Sequence, residues 1–495
     1  MISRETVMII TIAVYVLFIA GVAIFYRKSS KNITELTVGG RNAGAWVSAL
    51  SYGTAYFSAV MFIGYAGGTG WKYGIWGVLP GIGNAIIGSL LAWMVLAKRT
   101  RSLTRKYEIK SMPQLFEKRF NSRAMRLFCS IVIFVFLIPY SASVYKGLTS
   151  VCSVLLGVNE TLCMIVIAIA AIFLVTFGGY VATLKADFVQ GLIMLFGIIV
   201  LIVAVIRCEQ VGGVAKGLAA IGEKTALLNL GAKEHIALWA TVLMTSFGTW
   251  GLPQMIHKYY GIKDDHEIKR GTVISTVFAF VVAGGGYFIG SLSRLFFSEL
   301  PSGGTDFLVP TMLKQANLAA WLLGLVLVLL IAASVSTLCS ITITASSTLT
   351  IDIVKERIAK KMSEENAAWF MKGVAALFIA VSYFIANSNT PILDMMSYSW
   401  GVISGSFLAP YALLLYSDKL TKKGAFIGMI GGFLTALPPV FCKLFCKELA
   451  LPYFGKICDL GPHFACLAMA VSLILCITFG GVFKKNGKSA EFIGA

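Results

Sequence analysis

A chain of 495 residues that is 57% hydrophobic and only 13% charged has too few polar residues to cover a soluble domain, in which about a quarter of the residues are charged. Its net charge of +19 would suit a nucleic-acid partner, but apolar stretches of roughly 18 residues or more recur along its length. The composition therefore predicts a multi-pass membrane protein that lies in the lipid bilayer and has no nucleic-acid partner.

Apolar segments follow one another from the first residues to the last. They are predicted at 7–26, 45–67, 74–97, 127–156, 161–179, 182–206, 236–256, 271–298, 318–350, 368–386, 395–415, 424–441 and 462–483. The connections between them are too short for a soluble domain, which needs about 50 residues. We expect an all-α polytopic fold with about 13 transmembrane helices.

The lysines and arginines are distributed unevenly among the connections. With the N-terminus outside, most of the 42 basic residues fall on the cytoplasmic side, with the largest clusters at 27–41, 98–126, 258–270 and 355–372. This is the positive-inside pattern, and thirteen spans then place the C-terminus in the cytoplasm. We therefore expect an inner or plasma membrane location, and the pattern does not define an oligomeric state.

Two predicted spans contain residues that weaken a helix at mid-depth. The second has Gly53 inside the polar run 51–58, and the seventh has Gly248, Gly251 and Pro253. Proline removes a backbone donor and glycine destabilises a helix, so both spans are predicted to unwind. Unwound backbone at membrane depth survives where it lines a cavity or is buried in protein. The alternative is that both are kinked packing helices.

The two interruptions lie five spans apart, so the two helices must cross the membrane in opposite directions. This pattern is typical of an inverted repeat with a substrate site between its halves. The predicted division is an extra N-terminal helix at 1–30, a first five-helix repeat at 31–210, a second, inverted repeat at 211–420, and two additional helices with a short tail at 421–495.

One carboxylate and one stripe of hydroxyls are candidates for ion chemistry. Asp187 lies in an apolar run, where a charge costs roughly 2.5–3.5 kcal/mol at a helix centre. Lys185 is two residues away and does not share its helix face. The ninth span carries a one-sided stripe of Ser336, Thr337, Ser340, Thr344 and Ser347. With freed carbonyls these hydroxyls suit Na⁺, although such side chains also bond to their own helix or join helices.

Several short motifs occur in a characteristic order along the chain. They are Gly39-Gly-Arg41, Leu50-Ser-Tyr-Gly53, Met112-Pro-Gln-Leu-Phe116, Phe177-Gly-Gly-Tyr180, Asp187-Phe-Val-Gln190, Ala332-Ala-Ser-Val-Ser-Thr337, Ser397-Tyr-Ser-Trp400 and Lys423-Gly-Ala-Phe-Ile-Gly-Met-Ile-Gly-Gly432. Together they resemble the sodium:solute symporter family, and its sodium/proline symporter branch in particular. The resemblance implies a leucine-transporter-like five-plus-five fold. It also implies Na⁺-driven uptake of a small organic solute, such as an amino acid or monocarboxylate, by alternating access.

The resemblance also implies where Na⁺ binds. Backbone carbonyls matching Thr54 and Phe57 in the broken first core helix would face the carbonyl of Ala333 and the hydroxyls of Ser336 and Thr337.

A second ion site is present in some members of the family. Asp187 and Ser340 match residues of that site, but one of its serine positions falls on Cys339. Thiol is a poor Na⁺ ligand. We therefore expect a single Na⁺, with Asp187 guiding its release to the cytoplasm.

The solute site departs from the proline carriers that the chain resembles. Ser58 and Tyr140 match residues that face sodium or substrate, but Tyr56 replaces an aspartate, and Thr245 and Thr249 replace two aromatic residues. Losing two aromatic rings removes stacking surface and adds hydroxyl donors. Proline is therefore a disfavoured substrate.

The remaining candidates concern closure of the site. Trp250 is predicted to cap the solute, with packing as the alternative. Residues predicted to act in coupling or gating are Arg41, Gly53, Gly248, Gly251 and Pro253. Two other functions stay open, a proton-coupled carrier that uses Asp187 and a solute sensor with the same fold. No hydrolase or metalloprotease motif is present, so we do not expect an enzyme.

Overall fold

The computed structural model describes residues 4–27, 32–157, 159–388, 390–446 and 456–480. Within these ranges the chain is helical, and the β-structure consists of one isolated bridge between Ala43 and Ile262.

The α-helices of the described chain are α1 (Arg4–Phe25), α2 (Ile33–Thr37), α3 (Ala45–Tyr56), α4 (Ala66–Tyr73), α5 (Leu79–Gly83), α6 (Lys98–Lys106), α7 (Met112–Phe120), α8 (Arg123–Leu156), α9 (Glu160–Phe173), α10 (Gly179–Arg207), α11 (Val214–Ala226), α12 (Ala232–Phe247), α13 (Pro253–His257), α14 (Asp265–Ala279), α15 (Gly285–Leu292), α16 (Leu308–Gln315), α17 (Ala320–Ser347), α18 (Glu364–Ala386), α19 (Ile392–Tyr416), α20 (Lys422–Phe441) and α21 (Gly461–Phe479). Short 3-10 turns lie at Gly74–Val78, Gly248–Trp250, Lys258–Gly261, Ser293–Leu295 and Gly304–Phe307. Wider π-helical turns lie at Val60–Tyr65, Asn84–Leu91, Trp93–Ala97, Leu174–Gly178, Phe280–Gly284, Thr348–Ile358 and Cys442–Cys446.

Ten helices in the described ranges are long and apolar enough to cross a bilayer. Two of them, Val60–Lys106 and Glu160–Arg207, have 47 and 48 residues, about twice the ~20 residues that one span needs. Glycines with positive φ interrupt both, at Gly74 and Gly179. The count of 13 spans stays a prediction, and residues 481–483 of the last predicted segment lie outside the described residues, as does the tail.

Helix α17 is the centre of the bundle. It is apolar on nearly every side, as expected for a helix surrounded by protein, and 94% of its most apolar window is buried, against 22% for α1. It packs against α1, α3, α8, α10 and α18. The predicted stripe of hydroxyls therefore faces protein and lies at the middle of the fold.

Candidate ion and solute site

The first broken helix ends at Tyr56. Phe57 is extended, with φ −106° and ψ 104°, and the helical backbone resumes at Val60. The sequence predicted a break near Gly53, and the observed break lies one turn beyond that residue. At Gly53 an added Cβ would lie 2.3 Å from the Phe278 ring, so this glycine serves close packing against α14 and the helix runs through it.

The second broken helix is interrupted where glycine and proline predicted. Helix α12 gives way to the 3-10 turn Gly248–Trp250, and α13 begins at Pro253. The break packs tightly on α19: the Ser404 hydroxyl donates to the Gly248 carbonyl at 2.7 Å, and a Cβ on Gly251 would lie 2.8 Å from the Ser404 Cα. These glycines allow the unwound backbone to touch its neighbour.

The predicted sodium ligands converge between α3 and α17. Thr337 Oγ1 lies 3.0 Å from the carbonyl oxygens of both Thr54 and Ala333. Ser336 Oγ lies 2.9 Å from Thr54 Oγ1. Because α3 ends just after Thr54, that carbonyl has no helical N–H partner. Phe57 lies at the break itself. Uncharged hydroxyl and carbonyl oxygens gathered in one buried place form a donor set that fits a hard monovalent cation such as Na⁺.

The hydroxyl stripe on α17 divides into two groups. Ser336 and Thr337 face the broken helix, whereas Thr344 Oγ1 donates to the Ser340 carbonyl at 2.8 Å and Ser347 Oγ to the Thr344 carbonyl at 3.1 Å. The alternative interpretation, bonding within the same helix, therefore describes the last two. The Ser340 hydroxyl is buried and has no hydrogen-bond partner among the described residues.

Asp187 on α10 joins the sodium ligands to a lysine. Its Oδ1 accepts a hydrogen bond from Ser336 Oγ at 2.5 Å. Its Oδ2 accepts from Ser51 Oγ at 2.5 Å and from Lys258 Nζ at 3.0 Å. Lys258 Nζ also lies 2.9 Å from Ser51 Oγ. Thr54, Ala333, Ser336, Thr337, Ser51, Asp187 and Lys258 are called the ion cluster below.

From the sequence, Lys258 is counted among the charges at 258–270 that are expected on the cytoplasmic side. The structure buries it, with 4% of its surface exposed. The signal that could have found it is the isolated Asp187 in an apolar run, which needs a cation nearby. Lys258 begins the first turn after α13, close to the second break, and it is a better candidate for that cation than Lys185.

The thiol of Cys339 has its hydrogen-bond contact on another helix. It is directed at the Ala171 carbonyl on α9, 4.0 Å away. The substitution of a serine by Cys339 is therefore a weaker reason for expecting one Na⁺ than the sequence suggested.

The predicted solute-facing side chains surround Trp400 on α19. The Tyr140 ring meets Trp400 edge-on at 5.6 Å, and Tyr56 lies 6.1 Å from it. Tyr56 Oη donates to the Thr245 carbonyl at 2.6 Å. Thr249 Oγ1 donates to the Ser246 carbonyl at 2.9 Å. Tyr56, Tyr140, Thr245, Thr249 and Trp400 are called the solute cluster below.

Two other predicted solute residues contact the surrounding backbone. Ser58 Oγ accepts a hydrogen bond from the Val60 amide at 3.2 Å, next to the first break. Trp250 is half-buried, and its indole N–H donates to the Ile87 carbonyl at 3.0 Å. These contacts place Trp250 against the π-helical turn Asn84–Leu91, and its role as a cap stays a prediction.

Sequence reasoning also missed Asn84 and the role of Trp400. With its amide nitrogen turned toward them, Asn84 donates to Tyr56 Oη and Thr245 Oγ1, both at 3.0 Å. Trp400 stood in a motif of the sequence without an assigned role. The local sequence around Trp400 carries no signal that this residue meets Tyr56 and Tyr140, because that contact is made only in the folded bundle.

Arg41 closes one end of the bundle. Its guanidinium donates to the carbonyls of Thr104 and Ile109, each at 2.8 Å, and Arg105 donates to the carbonyl of Ile262 at 2.9 Å. Burial lowers the pKa of Arg41, but arginine starts so high that the charge is retained. These bonds tie the loop before α3 to the end of the second broken helix.

Two broken helices that meet at a buried ion cluster and an aromatic solute cluster define a secondary transporter. The comparisons with known proteins agree. The chain belongs to the sodium:solute symporter family, whose profile matches residues 36–432.

Among known relatives, the sodium/proline symporter of Escherichia coli (strain K12) is 26% identical over 450 residues, covering 88% of each chain. A Na⁺-coupled sialic acid symporter in a substrate-bound, outward-open state superposes with a TM-score of 0.77 at 17% identity, over 95% of this chain and 97% of that one. The nucleobase-cation-symport-1 transporter MHP1 in a closed conformation gives 0.53 at 14% identity, over 93% and 98%.

These findings confirm the leucine-transporter-like fold and the predicted Na⁺-coupled symport of a solute. The family decides for Na⁺ against the proton-coupled alternative, and its members are transporters. The chain is a multi-pass membrane protein.

Proposed function

We propose that the ion cluster is where this symporter binds the Na⁺ that drives uptake of a small organic solute. The ligands would be the carbonyls of Thr54, Phe57 and Ala333 and the hydroxyls of Ser336 and Thr337. The observation that carries the proposal is the position of Thr337 Oγ1, 3.0 Å from two carbonyls on two different helices. We further propose that the N-terminus lies outside an inner or plasma membrane and the C-terminus inside it.

The contacts suggest how the ion and the solute are coupled. A Na⁺ between α3 and α17 would attract the Thr54 carbonyl at the end of α3, and Tyr56, two residues further along, belongs to the solute cluster. Holding the end of α3 against α17 therefore fixes the position of a solute-facing ring. Alternating access would then move the repeats at 31–210 and 211–420 relative to each other, with Arg41 and the two breaks as the gating elements.

The solute cluster favours a solute with acceptor oxygens, such as an amino acid or a monocarboxylate. Tyr140 Oη and Trp400 Nε1 are buried and approach each other without a well-formed hydrogen bond, and neither has another hydrogen-bond partner within the described chain. Both groups donate hydrogen bonds, and buried donors are normally paired. A carboxylate would supply their acceptors. Proline stays disfavoured, because Tyr56, Thr245 and Thr249 differ from the residues of the proline carriers.

The test is the thermal stability of the purified protein against amino acids, monocarboxylates, sugars and vitamins, in Na⁺ and in K⁺. A ligand of the native state raises stability by RT ln(1 + [L]/Kd). We expect a carboxylate-bearing solute to stabilise the protein in Na⁺ and to have little effect in K⁺. Equal stabilisation in both salts would contradict coupling at this site, and a hit confined to sugars would contradict the proposed substrate class.

A further inference from the structure

The Asp187 carboxylate is shared between a neutral hydroxyl and a lysine. Its Oδ1 faces Ser336, one of the proposed sodium ligands, at 2.5 Å. Its Oδ2 forms an ion pair with Lys258 Nζ at 3.0 Å, and the two side chains are 0% and 3% exposed. The carboxylate therefore already holds one cation, and this cation is part of the protein.

The charge balance of the ion cluster follows from this pair. Asp187 and Lys258 together are neutral, so one Na⁺ at the proposed ligands gives the cluster a single positive charge. A second Na⁺ on Asp187 would lie beside the Lys258 ammonium in a buried place, where like charges repel much more strongly than in water. Two Na⁺ ions, the ammonium and a single carboxylate would leave the buried cluster with a net charge of +2, which is poorly compensated.

The pair also joins both broken helices to the centre of the bundle. Lys258 follows α13 in the second broken helix, and Ser51, which bonds to both charged groups, lies on α3 in the first. Asp187 lies on α10 and Ser336 on α17. Any movement of either broken helix relative to α10 and α17 must therefore change the surroundings of the ammonium.

We propose that Lys258 is a tethered cation that occupies Asp187 in place of a second Na⁺, so that the carrier binds a single Na⁺ in each cycle. This inference rests on the proposed sodium site at Thr54, Ala333, Ser336 and Thr337. It assigns the stoichiometry to Lys258, and Cys339, whose thiol faces α9, has no part in it.

The experiment counts the Na⁺ ions bound per purified protein, using radioactive ²²Na⁺ at saturation. We expect one ion for the wild type and one for Lys258→Arg, which keeps the cation. Lys258→Gln leaves the carboxylate without its partner, and we expect it to bind two. In the double variant Lys258→Gln/Asp187→Asn both charges are gone, and the count should return to one.

The Na⁺ dependence of the melting temperature is a second measurement, which is needed because Lys258→Gln is expected to be less stable than the wild type. The melting temperature of Lys258→Gln should rise more steeply with Na⁺ than that of the wild type, at constant ionic strength with K⁺ as the replacement. If Lys258→Gln does not yield folded protein, the wild type and the neutral double variant still test the proposal. It requires one bound Na⁺ in each, and two ions in either would contradict it.

Two ions in the wild type, or one ion at saturation in folded Lys258→Gln, would overturn the proposal. A wild type that binds no Na⁺ would instead overturn the sodium site on which the inference rests. The two failures are therefore distinguishable.

Discussion

The ion cluster and the solute cluster lie next to each other on the first broken helix, yet their polar groups are satisfied differently. In the ion cluster the hydroxyls of Ser336 and Thr337 bond across helices to Thr54 and Asp187, and Thr337 also bonds to the Ala333 carbonyl of its own helix. In the solute cluster the polar atoms of Tyr140 and Trp400 are buried without a well-formed bond among the described residues. The ion site is thus assembled before its ligand arrives, whereas the solute site keeps donors for a ligand to satisfy.

The largest effect should follow from removing both hydroxyls that face the broken helix. We expect Ser336→Ala/Thr337→Ala to abolish Na⁺-dependent uptake and to raise the half-saturation for Na⁺ by about a hundredfold or more, because two direct oxygen ligands at about 1.5 kcal/mol each are lost. The measurement is solute uptake in proteoliposomes over a range of Na⁺ concentrations.

The same helix offers a matched control. Thr344→Ala/Ser347→Ala also deletes two buried hydroxyls, but these bond to carbonyls of α17 itself. Its Na⁺ dependence should match the wild type. An unchanged half-saturation in Ser336→Ala/Thr337→Ala would show that the ion binds elsewhere.

A second, smaller effect should follow from neutralising the carboxylate that joins the cluster to Lys258. Asp187→Asn leaves the buried Lys258 ammonium unpaired, and breaking such a pair typically costs about 3–5 kcal/mol of stability. We expect slower turnover, by about tenfold or more, with a much smaller change in solute affinity. Uptake rates and equilibrium solute binding separate the two, and wild-type uptake rates would exclude a role for Asp187 in ion release.

The role of the solute cluster can be tested by removing a single hydroxyl. Tyr140→Phe keeps the edge-on contact with Trp400 and removes the donor, so solute affinity should fall about fivefold, which corresponds to about 1 kcal/mol, with Na⁺ affinity unchanged. Tyr145→Phe removes another buried hydroxyl of α8 that has no partner in the described chain and serves as the control. Equal losses in both variants would point to packing instead of solute contact.

The smallest effect concerns Asp306, a buried carboxylate that, unlike Asp187, does not form an ion pair with a buried lysine in the described chain. In the short turn Gly304–Phe307, Asp306 Oδ2 accepts a hydrogen bond from the Ile392 amide at 3.2 Å, while Oδ1 has no partner among the described residues. Burial raises the pKa of Asp306, against opposing effects of that amide and of Lys146. The contribution of protonated Asp306 to folding stability is therefore fully present below the pKa of the unfolded chain, near 3.9. This contribution is lost as pH rises through the higher pKa of the folded protein.

Asp306→Asn should accordingly flatten the decline in melting temperature between acidic and neutral pH. The asparagine can keep the bond to the Ile392 amide. A pH profile that keeps the wild-type slope would assign that slope to another group, such as Asp394 nearby.

Features that depend on local sequence were predictable. Glycine and proline fixed the second break at Gly248–Pro253, and side-chain period placed Ser336 and Thr337 on one face. The first break lies at Phe57 and Ser58, inside the predicted polar run 51–58 but beyond Gly53, because Gly53 is needed for contact with Phe278 and not for unwinding. Such a contact joins residues more than two hundred positions apart, and local propensity carries no information about it.

The ion cluster was half predictable for a similar reason. The sequence indicated Asp187 as a functional residue, because a charge in an apolar run is energetically costly. Its partner Lys258 gave no such signal, because it lies among other basic residues that are expected on the cytoplasmic side. Only the fold distinguishes Lys258 from these residues, because the second broken helix positions it next to Asp187. Trp400 and Asn84 are likewise defined by the folded bundle.

The Lys258–Asp187 pair sets a limit on how far a solute can be concentrated. One mobile Na⁺ gains about 2.3 kcal/mol from a membrane potential of 100 mV and about 1.4 kcal/mol from a tenfold gradient. For a neutral or zwitterionic solute, a total of about 3.7 kcal/mol supports an accumulation of roughly five hundredfold. A second mobile Na⁺ would square that ratio and double the sodium that the cell must export. A lysine in place of the second ion therefore suits a solute that is taken up in quantity from a moderate supply.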